Sequence, residues 1–288
     1  MKPIISRRDF LRILKSVGVA GLMTYLTSYY TLEFEPSWLD VSQIQIPLPN
    51  LSKSFHGYRI LQISDIHMGG WMNRSHFEDV LEHIREQNPD LIVITGDFVI
   101  GHSWSDELNE AVEDFIEVMT PLASEYKIIG VMGNHDHWTD VVKVRSMLNT
   151  AGIICLQNDI HKLTKNSENL YIAGLDDISE GKHRLEEVEL KLPQHVKAIL
   201  LAHEPDYAST SSKSGKFMLQ LSGHSHGGQV VIPFLGPPIL PRWGRKYPAG
   251  LYQIEDMYLY TNRGVGMTSP FVRVNCRPEI TVFTLQAV

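Results

Sequence analysis

Residues 59–67 read Arg-Ile-Leu-Gln-Ile-Ser-Asp-Ile-His, a short apolar run that ends in the polar side chains Asp65 and His67. Apolar runs of similar length recur at 91–95 and 128–132, and each predicts a buried strand. Segments with helical periodicity lie between and after these runs, at 75–87, 106–119 and 140–150, the last closed by Gly152 as a helix C-cap. This alternation of strands and helices predicts right-handed βαβ units and a sheet that is covered on both faces.

The second half of the chain has closer strands. Apolar runs occur at 170–173, 198–202 and 217–221, and beyond Gly228 at 230–232, 251–254, 258–261 and 280–285. Two packed sheets with helices outside would accommodate this order of elements. The sequence therefore predicts an α/β fold.

Polar side chains follow five of the apolar runs at the point where each run ends. The five segments are Ser64–His67, Gly96–Asp97, Gly133–His137, His203–Pro205 and Ser222–Gly228. In open α/β sheets, sites assemble at the carboxyl edge of the strands. Taken singly, a strand-end Asp is usually a turn former or a helix cap. The joint occurrence of Asp, Asn and His at five strand ends predicts a site.

Single histidines are more often hydrogen-bonded structural residues than ligands. We expect this of His56, His76, His83, His161 and His195, which lie outside the five segments.

Phosphoester hydrolysis explains these residue types. The substrate is an anion, and its hydrolysis needs charge neutralisation and an activated water, which two metal ions about 3.5–4 Å apart supply. Such a pair needs one bridging carboxylate, for which Asp97 is the natural candidate. Alternation along a strand puts Asp65 and His67 on one face, and the same spacing serves His224 and His226. The flanking glycines would permit tight turns and close approach of the backbone.

The ordered motif set resembles that of the calcineurin-like metallophosphoesterases. The motifs are Asp65-x-His67, Gly96-Asp97, Gly133-Asn134-His135-Asp136, His203 and Gly223-His224-Ser225-His226. The resemblance implies a four-layer αββα sandwich of two mixed sheets. It implies that one metal ion is held by Asp65, His67, Asp97 and His226, and the other by Asp97, Asn134, His203 and His224. It also implies that His135 contacts the phosphate and stabilises or protonates the leaving oxygen.

Segments outside these motifs look like the exported bacterial YaeI/YkuE branch of that family. They include residues 227–229, 247–252, 263–266 and 275–279. One position departs from the protein phosphatases of the superfamily, which carry a second aspartate three residues after the one matching Asp97. Here that residue is Ile100, so His135 lacks this aspartate partner, which favours a role as phosphate contact over one as proton donor. The missing aspartate also argues against protein phosphatase activity.

Composition narrows the possible partners and metals. The formal net charge of −7 argues against a nucleic-acid binder. Only two cysteines occur, Cys155 and Cys276, which could pair in an oxidising compartment or stay as buried thiols. With no cysteine-pair spacing for zinc, the metals must be held by His, Asp and Asn, a set that suits Mn, Fe, Zn or Ni.

The first 32 residues differ from the rest in charge. They carry a net charge of +4, whereas the remainder carries about −11. The basic residues precede an uncharged stretch at 16–32, the layout of an export signal, and residues 6–11 (Ser-Arg-Arg-Asp-Phe-Leu) resemble a twin-arginine signal. A plain signal-anchor helix is the alternative.

Cleavage of this segment stays open. The tyrosines at 29 and 30 make a poor peptidase site, and 17 residues at 1.5 Å each span roughly 25 Å, slightly short of a bilayer core. The sequence thus predicts a signal or membrane anchor at 1–32, a linker with an edge strand at 33–56, and a catalytic domain at 57–288. We expect export by a twin-arginine route to the cell envelope, either periplasmic or on the outer face of the inner membrane.

The segment 233–243 follows the last histidine motif and is apolar, rich in proline and mixed with arginine and lysine nearby. It would be either a packed loop or a membrane-facing lip for an amphipathic phosphoester, with Phe234 and Trp243 as contacts. Arg263 and Arg273 would either clamp the substrate phosphate or form structural ion pairs.

Three functions compete on the sequence alone. The first is a phosphodiesterase of the cell envelope. The second is a pyrophosphatase on a lipid-linked sugar nucleotide such as UDP-2,3-diacylglucosamine, in lipid A biosynthesis, which fits poorly with an export signal. The third is a non-enzymatic envelope protein that retains the fold; loss of a ligand would indicate it, and the sequence retains all seven.

Overall fold

The structure is a computed structural model that describes residues 6–101 and 103–288. Its α-helices are α1 Arg7–Tyr29, α2 Glu35–Ser37, α3 Arg74–Gln87, α4 Asp106–Glu125, α5 Asn134–Thr150, α6 Leu185–Lys191 and α7 Ala208–Ser211. Its strands are β1 Asp40–Leu48, β2 Arg59–Ile63, β3 Leu91–Ile94, β4 Ile128–Gly130, β5 Ile154–Cys155, β6 Asp159–Lys165, β7 Glu168–Gly174, β8 Ala198–Leu201, β9 Phe217–Ser222, β10 Gly250–Ile254, β11 Met257–Thr261 and β12 Glu279–Ala287.

The strands form two six-stranded mixed sheets. The first has the order β1-β12-β2-β3-β4-β5, and the second has the order β10-β11-β9-β8-β7-β6. In the first sheet only the β12–β2 pair is antiparallel. In the second, the antiparallel pairs are the outer ones, β10–β11 and β6–β7. The predicted α/β class with two mixed sheets is confirmed.

Alternating side chains divide the core into layers. On β2, Ile60 packs between the two sheets, whereas Leu61 packs under the helices α3, α4 and α5. On the outer face of the second sheet, Leu200 packs with Val188 of α6. Because successive strand residues point to opposite faces, each sheet buries both of its faces. The result is the predicted αββα sandwich.

The helices begin where the sequence offers caps. The Asn73 side chain accepts from the His76 amide at the start of α3, and Ser105 accepts from the Leu108 amide at the start of α4. Helix α4 continues past the predicted end at 119 as far as Glu125 because Leu122 is buried in the core. Helix α5 begins at Asn134 instead of 140, with a kink at Asp140. Residues 134–139, which begin with the predicted site residues, therefore form the first part of this helix.

Four elements differ from the sequence prediction. Residues 230–232 form isolated bridges instead of the predicted strand, because glycines and a proline flank them. Strands β5 and β6 were not predicted: β5 has two residues, and β6 is an edge strand with mostly polar residues. The short helix α6 was also missed. Each of these elements is too short or too polar to give a periodic signal.

The N-terminal helix continues without a break from α1 through a π-helical turn, Tyr30–Phe34, into α2. Within the described residues, this helix at 7–37 is long and apolar enough to cross a membrane, a property that signal sequences share. Residues 1–5, with Lys2 of the predicted basic region, lie outside the described residues. The strand expected in the 33–56 segment is β1, and it lies at the edge of the first sheet.

Candidate metal centre

The seven predicted ligands come from both sheets and meet at one place. Asp65, Asp97 and Asn134 follow β2, β3 and β4 of the first sheet, whereas His203 and His224 follow β8 and β9 of the second. All seven side chains are buried, with exposed fractions from 0% to 8%; they are Asp65, His67, Asp97, Asn134, His203, His224 and His226. The carboxyl ends of strands in two facing sheets therefore form one polar cluster inside an apolar core.

Two groups of ligand atoms share the space between the sheets. His67 Nε2 lies 3.1 Å from His226 Nε2, and His226 Nε2 lies 3.4 Å from Asp65 Oδ1. On the other side, His203 Nε2 lies 3.2 Å from Asp97 Oδ2. Asp97 Oδ2 is also 3.7 Å from His67 Nε2, so this carboxylate lies between the groups. Three sets within this cluster, each with atoms inside 4.8 Å, have the composition of a cation site.

Five of the seven residues have left-handed backbones, which non-glycine residues rarely adopt. The φ angles are +52° for Asp65, +52° for His67, +56° for Asp97, +69° for His224 and +52° for His226. Such conformations cost of order 1 kcal/mol each and persist where the surrounding structure enforces them. Here they turn consecutive side chains from the strand ends into the cluster. Strain in ligand-bearing loops is typical of functional sites.

Hydrogen bonds to main-chain carbonyls fix the tautomers of two histidines. His203 Nδ1 donates to the carbonyl oxygen of Thr95 at 2.6 Å, and His224 Nε2 donates to that of Arg242 at 2.7 Å. A carbonyl only accepts, so in the neutral ring His203 Nε2 and His224 Nδ1 carry the lone pairs. Burial opposes the charge on His203, but Asp97 and Asp65 beside it hold the His203 pKa well above its ordinary value. Orientation of a ligating imidazole through its other nitrogen is a usual feature of metal sites.

Two buried atoms of the cluster test whether the residues fit a metal. Among the residues that the structure describes, Asn134 Oδ1 has no hydrogen-bond partner, and His203 Nε2 has none besides the Asp97 carboxylate at 3.2 Å. A buried, unpaired acceptor costs free energy, about 1–3 kcal/mol. Both are oxygen or nitrogen donors of the kind that Mn, Fe, Zn and Ni accept. The donor set and these two atoms thus fit a bound cation.

The protonation states in the cluster follow from burial and mutual charge. Burial raises the pKa of Asp65 to about 6 and lowers that of His67 to about 3. Burial likewise holds the pKa of His226 well below its ordinary value. Burial opposes the charge on Asp97, yet the His203 imidazole beside it keeps the Asp97 pKa well below its ordinary value. The neutral imidazoles of His67 and His226 are in the form that binds a cation.

Glycines make room for the carboxylates. A Cβ on Gly223 would lie 1.8 Å from Ser64 Oγ and 2.3 Å from Asp65 Oδ2. A Cβ on Gly133 would lie 2.3 Å from Asp97 Oδ1. These two positions therefore exclude every side chain, which is the physical reason for glycine in the two motifs.

Asp136 braces the loop that carries Asp97, a role that the sequence did not assign. Its carboxylate accepts from the amides of Asp97 at 3.0 Å, Phe98 at 2.8 Å and Val99 at 3.2 Å, and from that of Gly133 at 2.9 Å. One side chain thus ties the end of β3 to the start of α5. Its place directly after His135 in the motif was the available sequence signal.

His135 lacks the aspartate partner of the protein phosphatases, but a main-chain carbonyl orients its ring instead. His135 Nδ1 donates to the main-chain carbonyl of Ile100 at 3.0 Å, and the His135 amide donates to Asp97 Oδ1 at 2.9 Å. The acceptor is thus the main-chain carbonyl of Ile100, a residue whose side chain has no acceptor atom. The carbonyl sets the ring orientation and tautomer without a full negative charge.

The three predicted substrate contacts lie elsewhere. Arg263 pairs with Glu279 at 3.0 Å and with Asp40 at 2.6 Å. Arg273 is fully buried, and its guanidinium donates to the carbonyls of residues 263, 264, 266 and 276. Trp243 packs against the outer core of the second sheet. Arg263 and Arg273 thus form structural contacts, one of the two roles that the sequence allowed. Trp243 belongs to a packed segment.

Both cysteines are free thiols. The Cys276 thiol donates to the main-chain carbonyl of His226 at 3.2 Å, which places it directly behind the cluster. Of the two possibilities that the sequence left open, the structure has the unpaired thiols.

A cavity of about 590 Å³ opens over the cluster. Its floor contains Asp97, Asn134, His135, His224 and His226, and its walls include Trp138, Ser179, Glu180, Pro238, Ile239, Arg242 and Pro270. The cavity is large enough for a small phosphoester. The lining thus combines polar residues, such as Ser179 and Glu180, with apolar ones, such as Pro238 and Ile239, and one arginine.

Comparison with known proteins identifies the family. The family described as calcineurin-like phosphoesterase matches residues 58–228, and the chain belongs to it. The chain is 35% identical over 286 residues to YkuE of Bacillus subtilis (strain 168), an uncharacterized metallophosphoesterase, with 98% of both chains covered. It is 31% identical to the phosphodiesterase YaeI of Escherichia coli (strain K12), with 98% of this chain and 100% of that chain covered.

A third relative carries its own membrane segment. The transmembrane protein with metallophosphoesterase domain of Danio rerio is 28% identical over 285 residues, with 93% of this chain and 62% of that chain covered.

The family match and the two bacterial relatives confirm the predicted family and branch. The chain is a hydrolase of phosphoesters.

Proposed function

We propose that the protein is a binuclear metal-dependent phosphodiesterase of the cell envelope. The observation that carries the proposal is the position of Asp97, between a group formed by Asp65, His67 and His226 and a group that contains His203. A shared carboxylate between two groups of imidazole and carboxylate side chains is suited to a pair of divalent cations. The phosphodiesterase YaeI supports the choice of a diester over a monoester.

The ligand assignment divides the seven residues between two sites. Asp65, His67, Asp97 and His226 would hold one ion, and Asp97, Asn134, His203 and His224 would hold the other. When bound, such an ion pair neutralises phosphate charge and lowers the pKa of water toward neutrality. The metal would be Mn, Fe, Zn or Ni, in line with the nitrogen and oxygen donors.

The residues of the chain position the substrate and move the proton. The cavity would hold the diester with its phosphorus over the cluster, next to the apolar residues of the lining. His135 would act as an imidazolium, because Nδ1–H is engaged by the Ile100 carbonyl and a second proton on Nε2 is the one that passes to the leaving oxygen. Protonation of the leaving alkoxide by a positioned imidazole typically contributes 10²–10⁴-fold to the rate.

The place of action follows from the N-terminus. The paired arginines followed by an apolar helix support export through a twin-arginine route, with the catalytic domain outside the inner membrane. Substrates would then be phosphodiesters of the envelope. This location disfavours a sugar-nucleotide precursor made in the cytoplasm.

The experiment is hydrolysis by the purified full chain of a water-soluble diester, its monoester and a lipid-linked diphosphate. Each substrate is assayed with added Mn²⁺ and then after chelation. We expect the diester to be hydrolysed fastest and chelation to abolish turnover. Asp97→Asn should lose both activity and bound metal, whereas Asp256→Asn, on an exposed turn, should keep both. Full activity of metal-stripped protein, or of Asp97→Asn, would refute the proposal.

A further inference from the structure

Large apolar side chains are exposed on the loop beside the cavity. The exposed fractions are 107% for Phe234, 81% for Leu235 and 79% for Ile239, which itself lines the cavity. Scattered exposed apolar residues are common, but three within six positions at the mouth of a site mark an interaction surface.

The turn that carries these residues holds them outward. The Ile232 amide donates to the Gly236 carbonyl at 3.0 Å, and the Gly236 amide donates to the Ile232 carbonyl at 2.9 Å. Phe234 at the tip has a φ of +68°, a conformation that bulky residues avoid. The turn is therefore closed by its own backbone, and it presents a strained aromatic residue to the outside.

The end of the N-terminal helix is hydrogen-bonded to the segment at residues 273–277. The Arg273 amide donates to the Thr31 carbonyl at 3.1 Å, and the Cys276 amide donates to Glu35 Oε1 at 2.6 Å. The Arg277 guanidinium lies 4.3 Å from the centre of the Trp38 ring. The end of the helix is thus fixed to residues 273–277.

The same segment carries the exposed loop. The Val231 amide donates to the Val274 carbonyl at 2.8 Å, and the Val274 amide donates to the Gln229 carbonyl at 2.9 Å. With hydrogen-bonded backbones roughly 5 Å apart, the helix end and the base of the loop lie roughly 10 Å from each other. A membrane that contained the helix would have its surface at this part of the domain.

Basic side chains follow the loop. Arg242, Arg245 and Lys246 are exposed, and Arg242 lines the cavity. Basic residues beside exposed apolar ones match the anionic surface of a bilayer, which attracts them electrostatically. The loop and its basic flank thus have the two components of a bilayer contact.

We propose that residues 232–239 dock into the surface of the bilayer that holds the N-terminal helix, so that the cavity mouth faces the lipid. The docking surface is set by the helix end and the exposed tip. The site would then take an amphipathic phosphoester whose acyl part remains near the membrane. This substrate class rests on the proposed phosphodiesterase function, whereas the docking does not.

The docking test uses the full chain in vesicles of phosphatidylcholine and phosphatidylglycerol. Leu235→Cys and Leu190→Cys are labelled with an environment-sensitive thiol dye, and the wild type gives the background from Cys155 and Cys276. Leu190 is a matched control, since it is 86% exposed on α6. We expect a blue shift on vesicles and quenching by bromolipids only for the label at 235. Equal emission at both positions, or a full chain that does not float with the vesicles, would overturn the proposal.

The substrate test compares two substrates in the same vesicles. Phe234→Ser with Leu235→Ser should lower hydrolysis of a long-chain phospholipid at least about tenfold and leave a water-soluble diester within about twofold, with Leu190→Ser unchanged on both. Equal loss on both substrates overturns the assigned substrate class. Failure of the wild type on the soluble diester refutes the proposed function instead, and the dye at 235 still reports docking.

Discussion

His135 donates from Nδ1 to the main-chain carbonyl of Ile100 at a distance of 3.0 Å. The imidazole is oriented by backbone where the protein phosphatases of the superfamily use a carboxylate. A backbone acceptor cannot be removed by a side-chain substitution, and it fixes the tautomer without an added charge. The identity of residue 100 is therefore less important than the path of its backbone.

The hydrogen bond between His135 and Ile100 predicts different effects for substitutions at the two positions. We predict that His135→Asn lowers kcat for a diester by about 10²–10⁴-fold at unchanged metal content, because a positioned proton donor is lost. Ile100→Ala should stay within about threefold, because its carbonyl remains. The measurement is steady-state kinetics together with metal analysis of each variant. A large loss of kcat in folded Ile100→Ala would show that the side chain matters.

Gly223 should tolerate no side chain. In Gly223→Ala the new Cβ would meet Ser64 Oγ and Asp65 Oδ2, so the carboxylate must move. We predict loss of at least one metal per chain and of most activity, measured by elemental analysis and diester turnover. Gly57→Ala is the control: it has a φ of +80° with open space around it, and should cost about 1 kcal/mol of stability without loss of metal. Retention of both metals by Gly223→Ala would contradict the prediction.

The protonation of Asp177 should contribute to the pH dependence of the free energy of unfolding. Burial, and then the neighbouring Glu204 carboxylate, raise the pKa of Asp177 to about 9, so the folded chain holds a proton that the unfolded chain has lost above about pH 4. Its contribution to stability is therefore lost as the pH rises toward 9.

We predict that Asp177→Asn, whose amide resembles the protonated acid, unfolds at a higher temperature than the wild type at pH 8.5 and has a flatter pH profile. The difference should grow with pH, since each pH unit between the unfolded and the folded pKa costs the wild type up to about 1.4 kcal/mol. Thermal unfolding between pH 5 and pH 9 measures it, with exposed Asp256→Asn as control. Parallel profiles for Asp177→Asn and the wild type would rule out the assigned proton.

Glu35 should couple the N-terminal helix to the catalytic domain. It is 1% exposed and accepts from the Cys276 amide at 2.6 Å. We predict that Glu35→Ala lowers the free energy of unfolding by about 1–3 kcal/mol, the cost of an unsatisfied buried donor. Glu33→Ala, exposed on the same helix, should change it by less than about 0.5 kcal/mol. Denaturant unfolding in the same detergent compares them, and equal effects would argue against the contact.

The repeating strands and helices were predictable because their side-chain periods are local properties. The β2 strand at Arg59–Ile63 and the helix α3 follow directly from an apolar run and an N-cap. The start of α5 was not predictable, because its first turn carries the polar residues of a site instead of an apolar face. Strand β6 was missed for a related reason, since only Leu163 among its seven residues is buried.

The sequence by itself determined the candidate ligand types, their order and the family, because strand ends and motif spacings lie along the chain. The tertiary structure decided which atoms meet: the carbonyls of Thr95, Ile100 and Arg242 orient three histidines, although no side chain in the sequence marks them. It also decided that Arg263 and Arg273 brace loops instead of lining the cavity. Charge is visible in a sequence, but the partner of a charge depends on contacts between distant segments, which only the packed fold creates.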